Sequence, residues 1–381
     1  MHIEPFKIEV SQAVLDDLAE RLARTRWPDE VANGDWRYGA NLDYMRQLIA
    51  YWQRTFDWRS QERAINAFPH FRAELDGLHI HFIHQRGSGP HPMPIVITHG
   101  WPGSFYEMHK IIPLLADPGS HGGDPADAFD VIVPSLPGYG FSDAPTQPGL
   151  TTAGIADLWT RLMTEGLGYE RFAAHGGDIG SGVTAHLGLR HPDHVLGIHV
   201  TAVRKPYLGA GAPPLSEAEK AYIALNERWE AEEGGYGHIQ GTRPQTLGYG
   251  LNDSPLGLAA WIVEKFRAWS DCQGNVEARF SKDELLTNVM IYWATQTITS
   301  SVRLYYESQH AAQRFGPEDH IRVPCAIALS REEVELAPRE WAERLYNVQR
   351  WVQFPSGGHF MALEEPELLV EDIRAFFRGL R

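Results

Sequence analysis

The chain has 381 residues, of which 43% are hydrophobic and 22% charged, proportions typical of a globular protein with one large core and an insertion, or of two domains. Its formal net charge of −15 argues against a nucleic-acid backbone or an anionic membrane as partner. The two cysteines, Cys272 and Cys325, are too few for a disulfide framework or a cysteine metal site. The polar N-terminus has no apolar run of signal-peptide or membrane-span length, so we expect a soluble, cytoplasmic protein.

The first region of the chain is predicted to be helical. Ser11 can cap a helix that carries apolar residues on one face, and a second helical stretch covers about 41–55. We therefore expect a helical arm over residues 1–68 that packs against another part of the protein.

Strand patterns follow the arm. Residues 70–85 alternate in two runs joined by Asp76-Gly77, a dipeptide that predicts a β-hairpin. Short apolar runs with helical stretches between them then predict a parallel sheet that is buried on both faces. These runs are PIVITHG (94–100), FDVIVPS (129–135), RFAAHGG (171–177), VLGIHVTA (195–202), VPCAIALS (323–330) and VQRWVQFP (348–355).

The strand pattern is interrupted by a long helical insertion. Within it, Ser254-Pro255 predicts the start of one helix. A capping box of Ser281 and Glu284 predicts another, running through LLTNVMIYWATQTITSSVRLYYES. A last amphipathic helix covers about 366–379. The predicted division of the chain is an arm at 1–68, an α/β core at 69–204, a helical lid at 205–318 and the rest of the core at 319–381.

The segment AAHGGDIGSGV (173–183) joins a predicted strand to a predicted helix, with small residues around Asp178. A strand–turn–helix of this kind is a nucleophile elbow, whose central side chain stands above the sheet. Many hydrolases have serine at this place. Gly180, Gly182 and Ala185 also match a dinucleotide-binding fingerprint, but they fall after the turn, and no acid for a ribose follows the next strand. An ordinary tight turn is the other alternative.

Two further loops follow predicted strands. In THGWPGS (98–104), the backbone can direct an N–H group toward the elbow, so we predict an oxyanion hole formed by the main-chain N–H groups of Trp101 and Ile179. The loop SLPGYGFSDAP (135–145) is similar to the corresponding loop of many α/β-hydrolases. It supports the fold but does not identify the reaction.

A base is expected between the last strand and the last helix. His359 occupies this place in GGHFMALEEPELL (357–369), and it follows the nucleophile in the chain order typical of the fold. A carboxylate must orient the imidazole ring, and the loop after the preceding strand offers several glutamates. Our choice is Glu333, and Glu332 is the alternative.

Together these motifs resemble the epoxide hydrolases of the microsomal type, within the α/β-hydrolase superfamily. The resemblance covers nearly the whole chain and implies a mostly parallel, eight-stranded sheet flanked by helices, with a lid. The segments that carry it are RTRWPD, HGWPG, GGDIGS, GYGHIQGTRPQTLGYGLNDSPLGLAAWIVEKF, LLTNVMIYW and GGHFMALEEPELL.

The resemblance also implies a role for each site residue. Asp178 matches the nucleophile and His359 the base, while Glu333 precedes a tryptophan in a Pro-x-x-Trp segment, as the acid of the family does. The lid tyrosines Tyr236, in GYGHIQ, and Tyr305, in SSVRLYYE, match the two acids.

Three features depart from the family. Ile179 stands where many relatives have tryptophan, the loop of Glu333 lacks the usual proline, and no membrane anchor is apparent. The second departure is the reason why Glu332 stays open as an alternative.

An elbow aspartate suits epoxide chemistry. A carboxylate can attack a strained carbon without losing a proton first, and the ester that forms can be hydrolysed. We expect a hydrophobic epoxide and water as reactants, a vicinal diol as product, and neither cofactor nor metal. Trp101 and Phe360 are expected to contact the substrate. A homodimer is one candidate assembly, and detoxification, catabolism and natural-product biosynthesis are all compatible.

Two other functions are compatible with parts of the pattern. A haloalkane dehalogenase also uses an elbow aspartate and a histidine, and it would release chloride from a chloroalkane. A non-catalytic relative would bind a ligand without turnover, but such proteins usually lack one of the site residues.

Overall fold

A nine-stranded sheet forms the centre of the protein. The computed structural model describes residues 1–32, 35–311, 315–332 and 336–381. The strands are β1 Ile3–Phe6, β2 His70–Leu75, β3 Leu78–Gln85, β4 Met93–Thr98, β5 Phe129–Pro134, β6 Phe172–Gly176, β7 Val195–Val200, β8 Ile321–Leu329 and β9 Tyr346–Gln353. They lie in the order β1-β2-β3-β5-β4-β6-β7-β8-β9. In this order, the first three pairs, β1-β2, β2-β3 and β3-β5, are antiparallel. The remaining five pairs, from β5-β4 to β8-β9, are parallel.

The helices fall into three groups along the chain. The N-terminal arm contains α1 Gln12–Ala23, α2 Leu42–Arg54 and α3 Trp58–Ile65. The helices between or after the strands are α4 Ile111–Ala116, α5 Thr152–Arg161, α6 Ile179–Arg190, α13 Arg339–Glu343, α14 Met361–Glu364 and α15 Pro366–Phe377. The lid contains α7 Glu217–Glu233, α8 Gly235–Thr242, α9 Pro244–Asp253, α10 Pro255–Trp269, α11 Lys282–Thr295 and α12 Ile298–His310.

The predicted α/β-hydrolase architecture is confirmed, but the expected strand count of eight is wrong. The additional strand is β1, which pairs with β2 at the edge of the sheet. Its four residues are half-buried or exposed, so they lack the apolar pattern that identifies a strand. Pro5 also argues against a strand in the sequence, although proline is tolerated at an edge, where its missing N–H is not needed.

The hairpin of β2 and β3 turns where the sequence predicts it. Asp76 and Gly77 have φ values of 50° and 77°. Positive φ at both central residues is characteristic of the type I′ turn, whose twist matches that of the strands it joins.

The long helix predicted after Ser281 is in fact two helices. The capping box is present, since the Ser281 side chain accepts from Glu284 N–H and the Glu284 carboxylate accepts from Ser281 N–H. The helix ends at Gln296, which has a left-handed backbone with a φ of 55°. Just before it, Thr295 donates its hydroxyl to the carbonyl of Ile291 at 2.6 Å, a local bond of the kind that weakens helix continuation.

The N-terminal arm packs against the lid. Helices α1 and α2 both contact α10. The Tyr51 hydroxyl donates to the Asp283 carboxylate at 3.0 Å, and Arg21 Nη1 lies 2.7 Å from Asp253 Oδ1. The arm therefore stabilises the lid through these contacts. Within the described ranges, we find no helix whose length and apolar character would let it cross a membrane.

Helix α6 approaches the sheet closely near its first turn. A Cβ atom added at Gly180 would overlap with the backbone carbonyl of Thr98 at the end of β4. Backbone atoms cannot move aside as a flexible side chain can. Glycine is therefore required at this position by packing.

We predict that Gly180→Ala destabilises the protein by about 1–3 kcal/mol, the usual cost of overpacking. Urea denaturation measures this change. The control is Gly250→Ala in α9, where an added Cβ meets no atom within 4 Å. That variant should gain up to about 1 kcal/mol from helix propensity. Equal effects of the two substitutions would contradict the packing argument.

Candidate active site

Asp178 lies at a strained turn between β6 and α6. Its φ of 50° and ψ of −125° are unfavourable for a residue with a side chain. The turn is tight, because a Cβ at Gly176 would overlap with the carbonyl of Gly180. This is the geometry of a nucleophile elbow, with the carboxylate at the N-terminus of α6. Gly180 and Gly182, which match the dinucleotide fingerprint, lie inside α6 and do not form a loop ahead of it.

The HGWPG loop lies directly against the elbow. The backbone N–H of Trp101 donates to Asp178 Oδ1 at 2.8 Å. A Cβ at Gly100 would overlap with the Asp178 carboxylate, so only glycine fits beside it. Ile179, the second predicted donor, is the first residue of α6. The structure thus brings Trp101 next to Asp178 and Ile179, which are adjacent in the chain, while the oxyanion hole itself stays a prediction.

Helix α11 of the lid holds the HGWPG loop by hydrogen bonds to its backbone carbonyls. From α11, Asn288 Nδ2 donates to the Pro102 carbonyl at 2.8 Å, and the Tyr292 hydroxyl donates to the Gly103 carbonyl at 2.6 Å. The Ser104 hydroxyl donates to Asn288 Oδ1 at 2.9 Å. Sequence reasoning missed these contacts. Their local signal is a pair of hydrogen-bonding residues, Asn288 and Tyr292, four positions apart in the mostly apolar segment LLTNVMIYW, which places both on one face.

His359 faces the nucleophile. Its Nε2 atom lies 3.6 Å from Asp178 Oδ2, while Asp178 Oδ1 receives the N–H of Trp101. The backbone N–H of His359 donates to the Trp269 carbonyl at 2.8 Å, and the two rings meet edge to face at 5.2 Å. The imidazole of the predicted base is therefore close to the carboxylate of the predicted nucleophile.

The choice of the acid rests on the sequence. Glu333 lies outside the described residues. Glu332 is described, and its side chain is 51% exposed, with Oε1 3.2 Å from Arg331 Nε. A side chain in that position is a solvated surface group, and this argues against the alternative.

The two lid tyrosines meet above Asp178. Tyr236 lies on α8 and Tyr305 on α12, with ring centroids 6.1 Å apart. Burial raises the pKa of Tyr305 well above its ordinary value, and the neighbouring Tyr236 and Asp178 raise it further. The phenol therefore stays protonated and can donate. The adjacent Tyr306 stacks on His310 at 4.0 Å and is exposed, so it is not part of the site.

A cavity of about 460 Å³ lies at this place. Asp178, Ile179, Tyr236 and Tyr305 all line it. This volume is within the range of small-molecule sites.

The two predicted substrate contacts lie beside the cavity instead of in its lining. Trp101 is fully buried, with its indole stacked on Tyr236 at 5.5 Å. Phe360 is only 1% exposed, because it stacks on Phe266 at 4.1 Å in the core. It also meets the His359 ring at 5.0 Å. Phe360 thus packs against the histidine, and its contact with a substrate stays a prediction.

Comparison with known proteins identifies related sequences. The sequence model of the epoxide hydrolase N terminus matches residues 3–108, and that of the alpha/beta hydrolase fold matches residues 93–229. Epoxide hydrolase 1 of Sus scrofa is 40% identical over 98% of this chain and 88% of its own length.

Solved structures are also similar over the full chain. Juvenile hormone epoxide hydrolase from the silkworm Bombyx mori superposes with a TM-score of 0.90 at 30% identity, covering 100% of this chain and 95% of the other. The epoxide hydrolase of Aspergillus niger gives a TM-score of 0.87 at 31% identity, with coverages of 100% and 97%.

We predict that Tyr292→Phe destabilises the protein by about 1–3 kcal/mol, because the buried Gly103 carbonyl loses its donor. Urea denaturation measures the loss. Tyr249→Phe is the matched control, since Tyr249 is 73% exposed and should tolerate the change. If Tyr292→Phe were as stable as wild type, the bond would contribute nothing to the loop.

Proposed function

The chain belongs to the epoxide hydrolase family of the α/β-hydrolase superfamily, and on this basis we propose that it forms the diol through a covalent ester on Asp178. The overall reaction adds water to an epoxide. The observation that carries the proposal is the elbow carboxylate, which has a backbone donor, a histidine and a pair of tyrosines around it. In the proposed mechanism, the tyrosines act when the ester forms, and the histidine acts when the ester is hydrolysed.

In the first step, Asp178 attacks a carbon of the epoxide. Oδ2 is the attacking atom, because Oδ1 accepts the Trp101 N–H at 2.8 Å. The bond between that carbon and the ring oxygen breaks, and the oxygen takes up a proton from a tyrosine as it becomes a hydroxyl. The lining of one cavity by Tyr236, Tyr305 and Asp178 supports this proton transfer.

In the second step, water cleaves the ester. His359 takes a proton from the water, whose oxygen attacks the carbonyl carbon of Asp178. The negative charge on the carbonyl oxygen is stabilised by the N–H groups of Trp101 and Ile179. The ester bond breaks, and the released alcohol oxygen takes the second proton of the attacking water, so the diol leaves and Asp178 retains one oxygen from water. The proton on His359 returns to the tyrosine that gave up its own in the first step. Glu333 orients the imidazole and stabilises its charged form.

The substrate that we propose is a small hydrophobic epoxide. Tyr236, which lines the cavity, belongs to an aromatic cluster beside it, in which Trp269 lies 5.0 Å from Tyr236 and 6.3 Å from Trp101. Such a site favours apolar groups on the epoxide. A homodimer and a cytoplasmic location are further proposals, which size-exclusion chromatography and cell fractionation test.

Two variants separate the steps, with styrene oxide as probe. Wild-type protein should form the diol, whereas Asp178→Ala should form none because it has no nucleophile. His359→Gln should consume about one styrene oxide per site and then stop, since the ester forms but is not cleaved. Mass spectrometry of the intact protein should show the added mass of one substrate.

The same assay tests the orienting acid. Glu333→Gln should resemble His359→Gln, and the exposed Glu332→Gln serves as its matched control. Diol formation by Asp178→Ala at the wild-type rate would exclude the covalent route.

The tyrosines are tested by removal of their hydroxyls. Tyr305→Phe and Tyr236→Phe should each lower the rate of ester formation, and the double variant should lose about 10²- to 10⁴-fold, the usual contribution of a general acid. Rapid quenching of the first turnover measures this step. The neighbouring Tyr306→Phe is the control and should react as wild type. An unchanged first turnover in the double variant would assign the proton to another donor.

A further inference from the structure

A buried carboxylate lies behind His359 and has no part in the chemistry above. Glu364 is the last residue of α14, and its side chain is 0% exposed. Oε2 accepts the backbone N–H groups of Asp271 at 2.8 Å and Gly358 at 3.0 Å. Oε1 accepts the N–H of Phe360 at 3.0 Å.

These bonds fix the loop on both sides of the base. Gly358 and Phe360 are the neighbours of His359 in the chain, and both donate to Glu364. The N–H between them, that of His359 itself, donates to the Trp269 carbonyl. Three successive backbone groups are thus held, two by Glu364 and one by the lid.

The same carboxylate connects the loop to the lid. Asp271 follows the end of α10 by two residues, so Glu364 joins the lid segment to the loop of the base. Arg279 strengthens this junction: Nη2 lies 2.7 Å from Asp271 Oδ2, Nη1 lies 2.9 Å from Glu365 Oε1, and Nε lies 4.0 Å from Glu364 Oε2.

The carboxylate is retained at an energetic disadvantage. Burial raises the pKa of Glu364 to about 7, although its backbone donors and Arg279 favour the charged form. An apolar residue would avoid the cost of burying a charge, but it would leave three N–H groups without an acceptor. The geometry therefore requires an acceptor with two oxygens at this place.

We propose that Glu364 is a positioning residue, which holds His359 in place for hydrolysis of the ester and links that place to the lid. The inference rests on the proposed function, in which His359 acts only in the second step. His359 must reach a water beside the Asp178 ester, and a displacement of about 1 Å can lower a rate by about 10²-fold.

The test is Glu364→Gln, measured at pH 8.5 with styrene oxide. Glutamine keeps the size of the side chain but replaces one acceptor oxygen by an NH₂ group, which would face a backbone N–H. We expect ester formation within twofold of wild type and ester hydrolysis slowed by roughly 10- to 100-fold, in line with the cost of displacing a catalytic group. Rapid quenching should then show a burst of substrate consumption and an accumulated ester.

The matched control is Glu62→Gln in the arm. Glu62 is also buried, and its carboxylate accepts a backbone N–H, that of Val10, at 2.7 Å. This variant removes a buried acceptor far from the site, so both steps should proceed as in wild type even if stability falls.

The outcomes are distinct. Equal slowing of both steps by Glu364→Gln, or no change in either, overturns the positioning role. If Glu364→Gln fails to fold, Glu364→Asp, which keeps both oxygens on a shorter side chain, is judged by the same two rates. Absence of diol formation by wild-type protein would instead overturn the proposed function, and the positioning role with it.

Discussion

The left-handed backbone of Asp178 is the constraint around which the site is arranged. A side chain at a φ of 50° costs roughly 1–3 kcal/mol, and such a conformation persists only when its surroundings fix it. Three glycines, Gly100, Gly176 and Gly180, make the tight turn possible. At each of them a Cβ atom would overlap with the atoms packed around the turn. This backbone conformation places the Asp178 carboxylate beyond the end of β6. There, Oδ1 accepts a hydrogen bond from the Trp101 N–H, and Oδ2 faces His359.

The lid contributes the two proposed proton donors and also supports the loops around Asp178. Tyr236 and Tyr305 come from two of its helices, and α11 holds the HGWPG loop through Asn288 and Tyr292. The end of α10 holds the loop of His359 through the Trp269 carbonyl. The sheet and the lid therefore form one site, in which hydrogen bonds from the lid hold the loops of Trp101 and His359. Preorganisation of this kind reduces the reorganisation that the reaction itself must bring about.

Local patterns were sufficient to predict much of this arrangement. The buried strands, the elbow and the hairpin at Asp76-Gly77 depend on residues that are close in sequence, and each appears where it was predicted. The edge strand β1 and the break at Gln296 could not be predicted, because pairing and packing with distant residues outweigh weak local preferences there. Contacts such as Asn288 with Pro102, or Glu364 with Asp271, join segments far apart in the chain and leave no periodic trace. The stacking of Phe360 on Phe266 is another such contact, since Phe266 belongs to the lid.

The bonds between α11 and the HGWPG loop also limit how small molecules can pass in and out. If the lid swung away as a whole, it would remove the support of the Trp101 donor and break the bond between Trp269 and His359. Each such hydrogen bond contributes about 0.5–1.5 kcal/mol net, and the buried aromatic contacts add to this cost. Passage is therefore easier along the existing cavity, whose lining reaches the exposed side chains of Arg204 and Glu230. Entry along this cavity leaves intact the bonds by which α10 and α11 hold the two loops around Asp178.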